Sequence, residues 1–460
     1  MEKISVQGIS FVVSIVLARI LCPTDYGIVA LILVFINIAN VIIDGGLNVA
    51  LIQKKDATQE DFSTIFWASV CMSIVLYAAM FAIAPHIAVY YKDNNLTTAI
   101  RVLSLCLFPY AVNSIQRAYI SRGMLFKKLF VSNLWATVLS GIAGIVLAMQ
   151  GFKHWALIWF QITQATALAI VMWHTVKWRP SFTFSPRSFY GLFDYGWKIF
   201  LSNLANTLFI NVRSLLIGKM YTPAALAYFE RGKQLPALVM ENINTSVQTV
   251  LFPAFSQEQD NRQKVTSMLS RSTRTCNLFI LPIMMWIIVC AEQIIRFLLT
   301  DKWIGTVPYI QLFCIAYMLM PIQIANIEAI KSQGRSDIIL KLSIIKITLD
   351  VIILLATLRY GPTAIAAGIV LYNLLCIFIN LRPTARLLDY GLRKQAQDLI
   401  PSLSATLAMG LLTYVAGLFD MGNTATLTIR SIVALASYPA ICYCFRIESF
   451  MYIIDMLRRR

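Results

Sequence analysis

Asn37, Asn40 and Asp44 stand at i, i+3 and i+7 in an otherwise apolar stretch of this chain. Glu241, Asn244 and Gln248 repeat that spacing, each 204 positions later. Residues so spaced form one stripe along a helix. In a helix of hydrocarbon length such a stripe must face protein or water, because lipid offers amides and carboxylates no partner. Amides can hydrogen-bond a hydroxyl-rich ligand, and a carboxylate at this depth can exchange a proton or hold an ion. Asp44 and Glu241 are therefore the candidates for ion coupling. Matching stripes in two halves of a chain point to a cavity between pseudo-symmetric lobes, the usual seat of a transported substrate.

Cations gather near the second stripe. Arg231, Lys233 and Gln234 precede Glu241 in the same segment, and Arg231, Gln234, Glu241, Thr245 and Gln248 share one helical face. Pro236 interrupts the backbone ladder there and predicts a kink. Arg213 adds a cation in the preceding apolar segment. Arginine grips phosphate oxygens with a planar fork, and lysine supplies a point charge. Asn37, Asn40, Asn244, Gln248, Gln234, Arg213, Arg231 and Lys233 together suit an anionic, hydroxyl-rich substrate. Plainer readings stand beside these. Glu230 and Arg231 can form an interfacial ion pair, and Asp44-Gly45-Gly46 can be a packing site whose glycines allow close approach.

Other chemistry finds little footing. The chain contains no G-x-x-x-x-G-K-[ST] phosphate loop, and no Ser-His-Asp or paired-carboxylate arrangement can be assembled from neighbouring residues. His86, His154 and His174 lie far apart, and the nine cysteines are scattered through apolar segments. The expectation is a protein that is not an enzyme and uses no cofactor and no metal. A net charge of +17 would suggest nucleic acid in a soluble protein. Here the basic residues collect in alternate loops, as on the cytoplasmic side of membrane helices, so no nucleic-acid partner is expected.

The elements that must position these residues are membrane helices. Of 460 residues, 58% are hydrophobic and 13% charged, with a mean hydropathy of +0.70. A soluble chain carries about 25% charged residues. About fourteen stretches approach the roughly 20 apolar residues that span a bilayer, and the one around Met240 is the least apolar. Inner loops carry Lys54 and Lys55, Lys127 and Lys128, Arg271 and Arg274, while outer loops hold few cations. Both termini are thus expected in the cytoplasm. The tail Ile447–Arg460 reads either as a helix lying on the inner leaflet or as a frayed end.

The repeat extends past the stripes. Arg19 stands four residues before Pro23 as Lys219 does before Pro223, and Ser121-Arg122-Gly123 answers Ser332-Gln333-Gly334, with offsets drifting from 200 to 211. The expected fold is an all-α polytopic membrane protein: an N-terminal six-helix lobe (residues 1–187), a C-terminal six-helix lobe (residues 188–395), and two extra helices with a tail (residues 396–460). An even number of helices per lobe makes the repeat parallel rather than inverted.

Leu17-Ala18-Arg19-Ile20-Leu21-Cys22-Pro23-Thr24-Asp25-Tyr26-Gly27 resembles the R-x-L-x-P-x-D-Y-G signature of bacterial polysaccharide-transport flippases. Asp44-Gly45-Gly46-Leu47, Tyr228-Phe229-Glu230-Arg231 and Leu251-Phe252-Pro253-Ala254 continue the resemblance in order, closest to the lipopolysaccharide/colanic-acid exporter branch. The resemblance implies the multidrug/oligosaccharidyl-lipid/polysaccharide exporter fold, with a cavity lined by the first, second, seventh and eighth helices. It implies a multi-pass protein of the bacterial cytoplasmic (inner) membrane that carries an undecaprenyl-diphosphate-linked oligosaccharide to the outer leaflet for lipopolysaccharide, capsule or exopolysaccharide synthesis. Membrane lipids, a polysaccharide polymerase and export machinery would be its partners. The alternatives are a multidrug-type cation antiporter and a lipid II flippase. Members of the family usually carry more sequence ahead of the first helix, so a truncated start is an expectation here.

Overall fold

The computed structural model describes residues 2–418 and 422–458, the side chains of residues 2–5, 243–249, 252, 336 and 456–458 excepted. It is 88% helix, with no strand among the described residues. One compact unit, Met1–Ala227, contains α1 (Glu2–Ile20), α2 (Pro23–Asp44), α3 (Leu47–Gln53), α4 (Gln59–Tyr91) and α5 (Asn95–Leu103). It continues through α6 (Leu107–Arg122), α7 (Phe126–Met149), α8 (His154–Thr175) and α9 (Pro186–Met220). Helix α10 (Pro223–Gln257) runs into the second unit, Tyr228–Arg460. Next come α11 (Arg262–Leu298), α12 (Val307–Met318), α13 (Met320–Ser332), α14 (Ser336–Thr357) and α15 (Pro362–Leu388). Helices α16 (Leu392–Ala416), α17 (Asn423–Cys444) and α18 (Glu448–Arg458) complete it.

Local chemistry sets the boundaries. Pro23, Pro186 and Pro362 open α2, α9 and α15, where a missing N–H costs nothing. The side chains of Thr58, Ser185 and Asn261 cap α4, α9 and α11. Gly45 and Gly46, at φ +53° and +70°, end α2 and turn the chain into α3. Among the described residues, eleven helical stretches are long and apolar enough to cross a bilayer. The apolar run of α1, Val6–Ile20, is shorter. Helices α10 and α14 are not among the eleven, and each carries four charged residues.

The two units repeat bonds as well as helix order. Asn113 Nδ2 donates to the Ala165 carbonyl at 3.0 Å, tying α6 to α8, and Gln323 Nε2 donates to the Asn373 carbonyl at 3.0 Å, tying α13 to α15. Gln59 Nε2 reaches the Arg179 carbonyl at 2.6 Å, and Arg262 Nη2 reaches that of Arg386 at 3.0 Å. Ser63 pairs with Ser181, and Thr266 Oγ1 donates to the Leu388 carbonyl at 2.5 Å. Arg122 bonds the Lys55 carbonyl as Gln333 bonds that of Gln259. Counterparts lie 203 to 211 positions apart, within the interval of the sequence repeat. Between membrane helices, where lipid already satisfies apolar surface, such bonds and close packing fix position.

The described part of the tail, through Arg458, ends in a helix. Helix α18 docks on α11: Arg274 pairs with Glu448, and the Arg271 guanidinium lies 3.9 Å from the Tyr452 ring centroid. Phe450 and Ile453 pack against the buried cluster that includes Leu278 and Met409.

Candidate functional site

The first stripe lies on a helix pressed against α9. A Cβ on Gly27 would fall 1.8 Å from the Pro223 carbonyl oxygen, and one on Gly218 would fall 2.9 Å from Leu31. At the far end, a Cβ on Gly46 would fall 2.2 Å from the Gly196 carbonyl oxygen. Helices α2 and α9 therefore run antiparallel and touch closely at both ends, as glycine permits. This explains the glycine of the Asp25-Tyr26-Gly27 landmark and the second of the Gly45-Gly46 pair.

Asp44 sits at the break between α2 and α3 and is half-buried. Its Oδ1 accepts Asn48 Nδ2 at 2.9 Å and also the hydroxyl of Ser114 on α6. Arg117, one turn further along α6, stands within electrostatic reach of the same carboxylate. In Asp44-Gly45-Gly46, therefore, Gly46 seats α9 and the carboxylate ties α2, α3 and α6. Asn37 is exposed and Asn40 half-buried, and neither has a hydrogen-bond partner among the described residues.

Helix α9 adds a polar row that the spacing rule missed. Asn203 and Asn206 are exposed, and with Arg213 they stand at i, i+3 and i+10 on one face. The signal was available, since the same step marks the first stripe. The antiparallel register places Arg213 about one turn from the level of Asn37. Arg213 is half-buried, its guanidinium carbon 6.0 Å from the Phe209 ring centroid. Ser114 and Arg117 were also missed; the polar run from Asn113 to Arg117 was the cue.

In the second unit the Tyr228-Phe229-Glu230-Arg231 landmark divides its work. Tyr228 packs edge-on to buried Trp303, its ring centroid 6.2 Å away, and its hydroxyl donates to the Lys302 carbonyl at 3.2 Å. Phe229 packs edge-on to Tyr309 and Phe313. A Cβ on Gly232 would fall 2.3 Å from the Tyr309 Cβ, so α10 lies close on the start of α12. This seating fixes the half-buried Arg231, which donates to Gln234 Oε1 at 2.6 Å and lies 5.6 Å from the Trp303 ring centroid. Lys233 is half-buried, and Gln234 and Glu241 are exposed. The side chains of Asn244 and Gln248 lie outside the described residues.

Each unit thus presents amides and a cation from helices of the expected set: Asn37, Asn40, Asn203, Asn206 and Arg213 in one, Arg231, Lys233 and Gln234 in the other. Such groups can bind an anion and hydroxyls without performing covalent chemistry. Among the described residues no group of three or more His, Cys, Asp or Glu side chains could hold a metal ion.

A family described as "Polysaccharide biosynthesis protein" matches residues 16–308. The chain belongs to that family. It is 23% identical to the teichuronic acid biosynthesis protein TuaB of Bacillus subtilis (strain 168), over 88% of this chain and 85% of the relative. It is also 23% identical to the lipopolysaccharide biosynthesis protein WzxC of Escherichia coli (strain K12), over 81% of this chain and 76% of the relative. Among solved structures, the lipid II flippase MurJ in an inward closed conformation has the same fold, with a TM-score of 0.78 at 13% identity over 96% of this chain and 97% of the other. An inward-facing multidrug resistance MATE family transporter gives a TM-score of 0.62 at 16% identity, over 83% of this chain and 94% of the other. The protein is a multi-pass membrane member of a flippase family of polysaccharide biosynthesis, and the relatives and structural neighbours named here are transport or biosynthesis proteins rather than named enzymes.

Proposed function

We propose that this protein flips an undecaprenyl-diphosphate-linked oligosaccharide from the inner to the outer leaflet of the bacterial cytoplasmic membrane. The observation that carries the reading is the pair of unpartnered amides, Asn37 and Asn40, on a helix of hydrocarbon length. Lipid cannot satisfy them, so water or a hydroxyl-bearing ligand must. The recurring bonds support two six-helix lobes, residues 1–187 and 188–395, followed by two further helices, fourteen spans in all. Both termini are assigned to the cytoplasm.

The lobes alternate access while the lipid tail stays in the bilayer. Arg213, Arg231 and Lys233 attract the diphosphate; Asn37, Asn40, Gln234, Asn244 and Gln248 contact sugar. Asp44 or Glu241 couples the stroke to an ion. The flipped product passes to a polymerase and export machinery. The test replaces Arg231 by Ala and measures surface polysaccharide at matched protein level, with loss expected. Undiminished export removes Arg231 from the site. Drug efflux with no polysaccharide phenotype on deletion would favour a cation antiporter, and loss of peptidoglycan on depletion a lipid II flippase.

A further inference from the structure

The second unit holds a groove of about 610 Å³ between α14 and α15. Leu342, Ile345, Leu349, Leu375 and Phe378 make its wall apolar, and Lys341 and Arg382 also line it. The first unit holds a groove of about 540 Å³ where α7 begins and α8 ends, with Leu125 and Val131 in its wall and Lys127 and Lys128 beside them. The grooves are counterparts. Val131 and Leu342 stand 211 positions apart, and Thr175 and Pro383, which also line them, stand 208 apart. These are the displacements of the repeated bonds.

Only some of the cations in the loops and helix ends are compensated by a carboxylate among the described residues. Lys54, Lys264, Arg274, Lys331, Arg335 and Lys394 each pair with a carboxylate. Lys127, Lys128, Lys341 and Arg382 have no acidic partner among the described residues. Beside the second groove, Ile344, Ile352 and Leu355 of α14 are all more than half exposed. In a membrane protein such a face meets acyl chains, so this groove opens toward lipid rather than toward a soluble anion. An apolar channel with two uncompensated cations matches an anionic amphiphile.

We propose that each groove retains one anionic glycerophospholipid, an acyl chain along the apolar wall and the phosphate between the two cations. Assignment to the cytoplasmic leaflet rests on the orientation proposed above; the binding does not. Native mass spectrometry of the full chain, released from nanodiscs with equal phosphatidylglycerol and phosphatidylcholine, tests it. Two phosphatidylglycerol molecules should stay bound per chain. K127Q/K128Q should lose one, K341Q/R382Q the other, and the quadruple variant both. Arginine at the three lysine positions should restore retention, and unchanged thermal midpoints should show that the variants fold. Equal retention of phosphatidylcholine, or unchanged retention by the quadruple variant, overturns the proposal. Displacement of phosphatidylglycerol from these residues by undecaprenyl diphosphate overturns it too, in favour of a substrate station. The Arg231 experiment is unaffected by any of these results.

Discussion

Two junctions, α4 with α9 and α11 with α16, solve the same problem with carboxylate and hydroxyl exchanged. In the first unit the buried carboxylate is on the third span: Asp61 of α4 accepts the hydroxyl of Ser188 at the start of α9, with Lys54 as its cation at 2.7 Å. In the second unit the buried carboxylate is on the docking helix: Asp398 of α16 accepts Ser270 of α11 at 2.5 Å, Tyr390 at 2.6 Å, and Arg274 at 2.7 Å. Ser188 and Asp398 stand 210 positions apart, so α9 meets the first unit as α16 meets the second. The sequence repeat counts α9 as the opening helix of the second set, yet its start is held inside the first compact unit. The helix after each set of six is docked by a carboxylate–hydroxyl bond, whichever side supplies the carboxylate.

The two docked helices, α9 and α16, differ further in how closely a neighbouring element approaches them, the break between α2 and α3 for α9 and α11 for α16. Gly46 meets the Gly196 backbone of α9, whereas a Cβ on Gly410 of α16 would meet only the flexible side chain of Met285 at 2.8 Å. Gly46→Val, at positive φ and against backbone, should cost on the order of 4 kcal/mol, while Gly410→Ala should cost less than about 1 kcal/mol. Thermal unfolding in detergent measures both, and comparable losses would break the distinction. Next in size, Arg274→Ala strands the buried Asp398 carboxylate and should cost about 3 kcal/mol. Lys54→Ala strands Asp61, as buried as Asp398, and should cost a comparable amount. Ser188→Ala and Ser270→Ala should each cost about 1 kcal/mol, the value of one hydrogen bond. A threefold disparity between them would show that the two docks are not equivalent.

The smallest effect is expected at Asp389, just past α15, where an exposed carboxylate accepts Lys394 at 2.8 Å. Lys394 holds that carboxyl below its ordinary value. A depressed carboxyl contributes above its unfolded pKa and loses that contribution only as pH falls through the lower folded value. Wild type should therefore exceed Asp389→Asn in thermal midpoint by the same small margin at pH 7 and pH 5, and that margin should vanish as pH falls below about 4. A margin that persists below about pH 4 would assign Asp389 a role in the α15–α16 turn beyond this exposed pair.

Much of the architecture was legible because hydrocarbon imposes its own grammar. Apolar runs of spanning length, loop cations and the ordered repeat of stripes, prolines and glycines gave an all-helical, multi-pass, duplicated chain. The landmarks of the flippase resemblance fell at working positions, Gly27 against Pro223 and Tyr228 against Trp303. The site was only partly legible. The i, i+3, i+7 rule found Asn37, Asn40 and Asp44 but passed over Asn203 and Asn206 on α9. It also could not distinguish Asp44, which is tied to Asn48 and Ser114, from Asn40, which is not.

Sequence alone determined that the chain is a run of apolar helices and which residues share a face, because helical period and hydrophobic length are local properties of the chain. Tertiary structure decided which face meets which neighbour. It seated α9 on α2 through Gly46 and Gly218 and the start of α10 on Gly27, and it supplied Asp44 with a hydroxyl from a helix 70 residues away. Those outcomes depend on backbone approach and on the pairing of distant polar groups, and no periodicity encodes either.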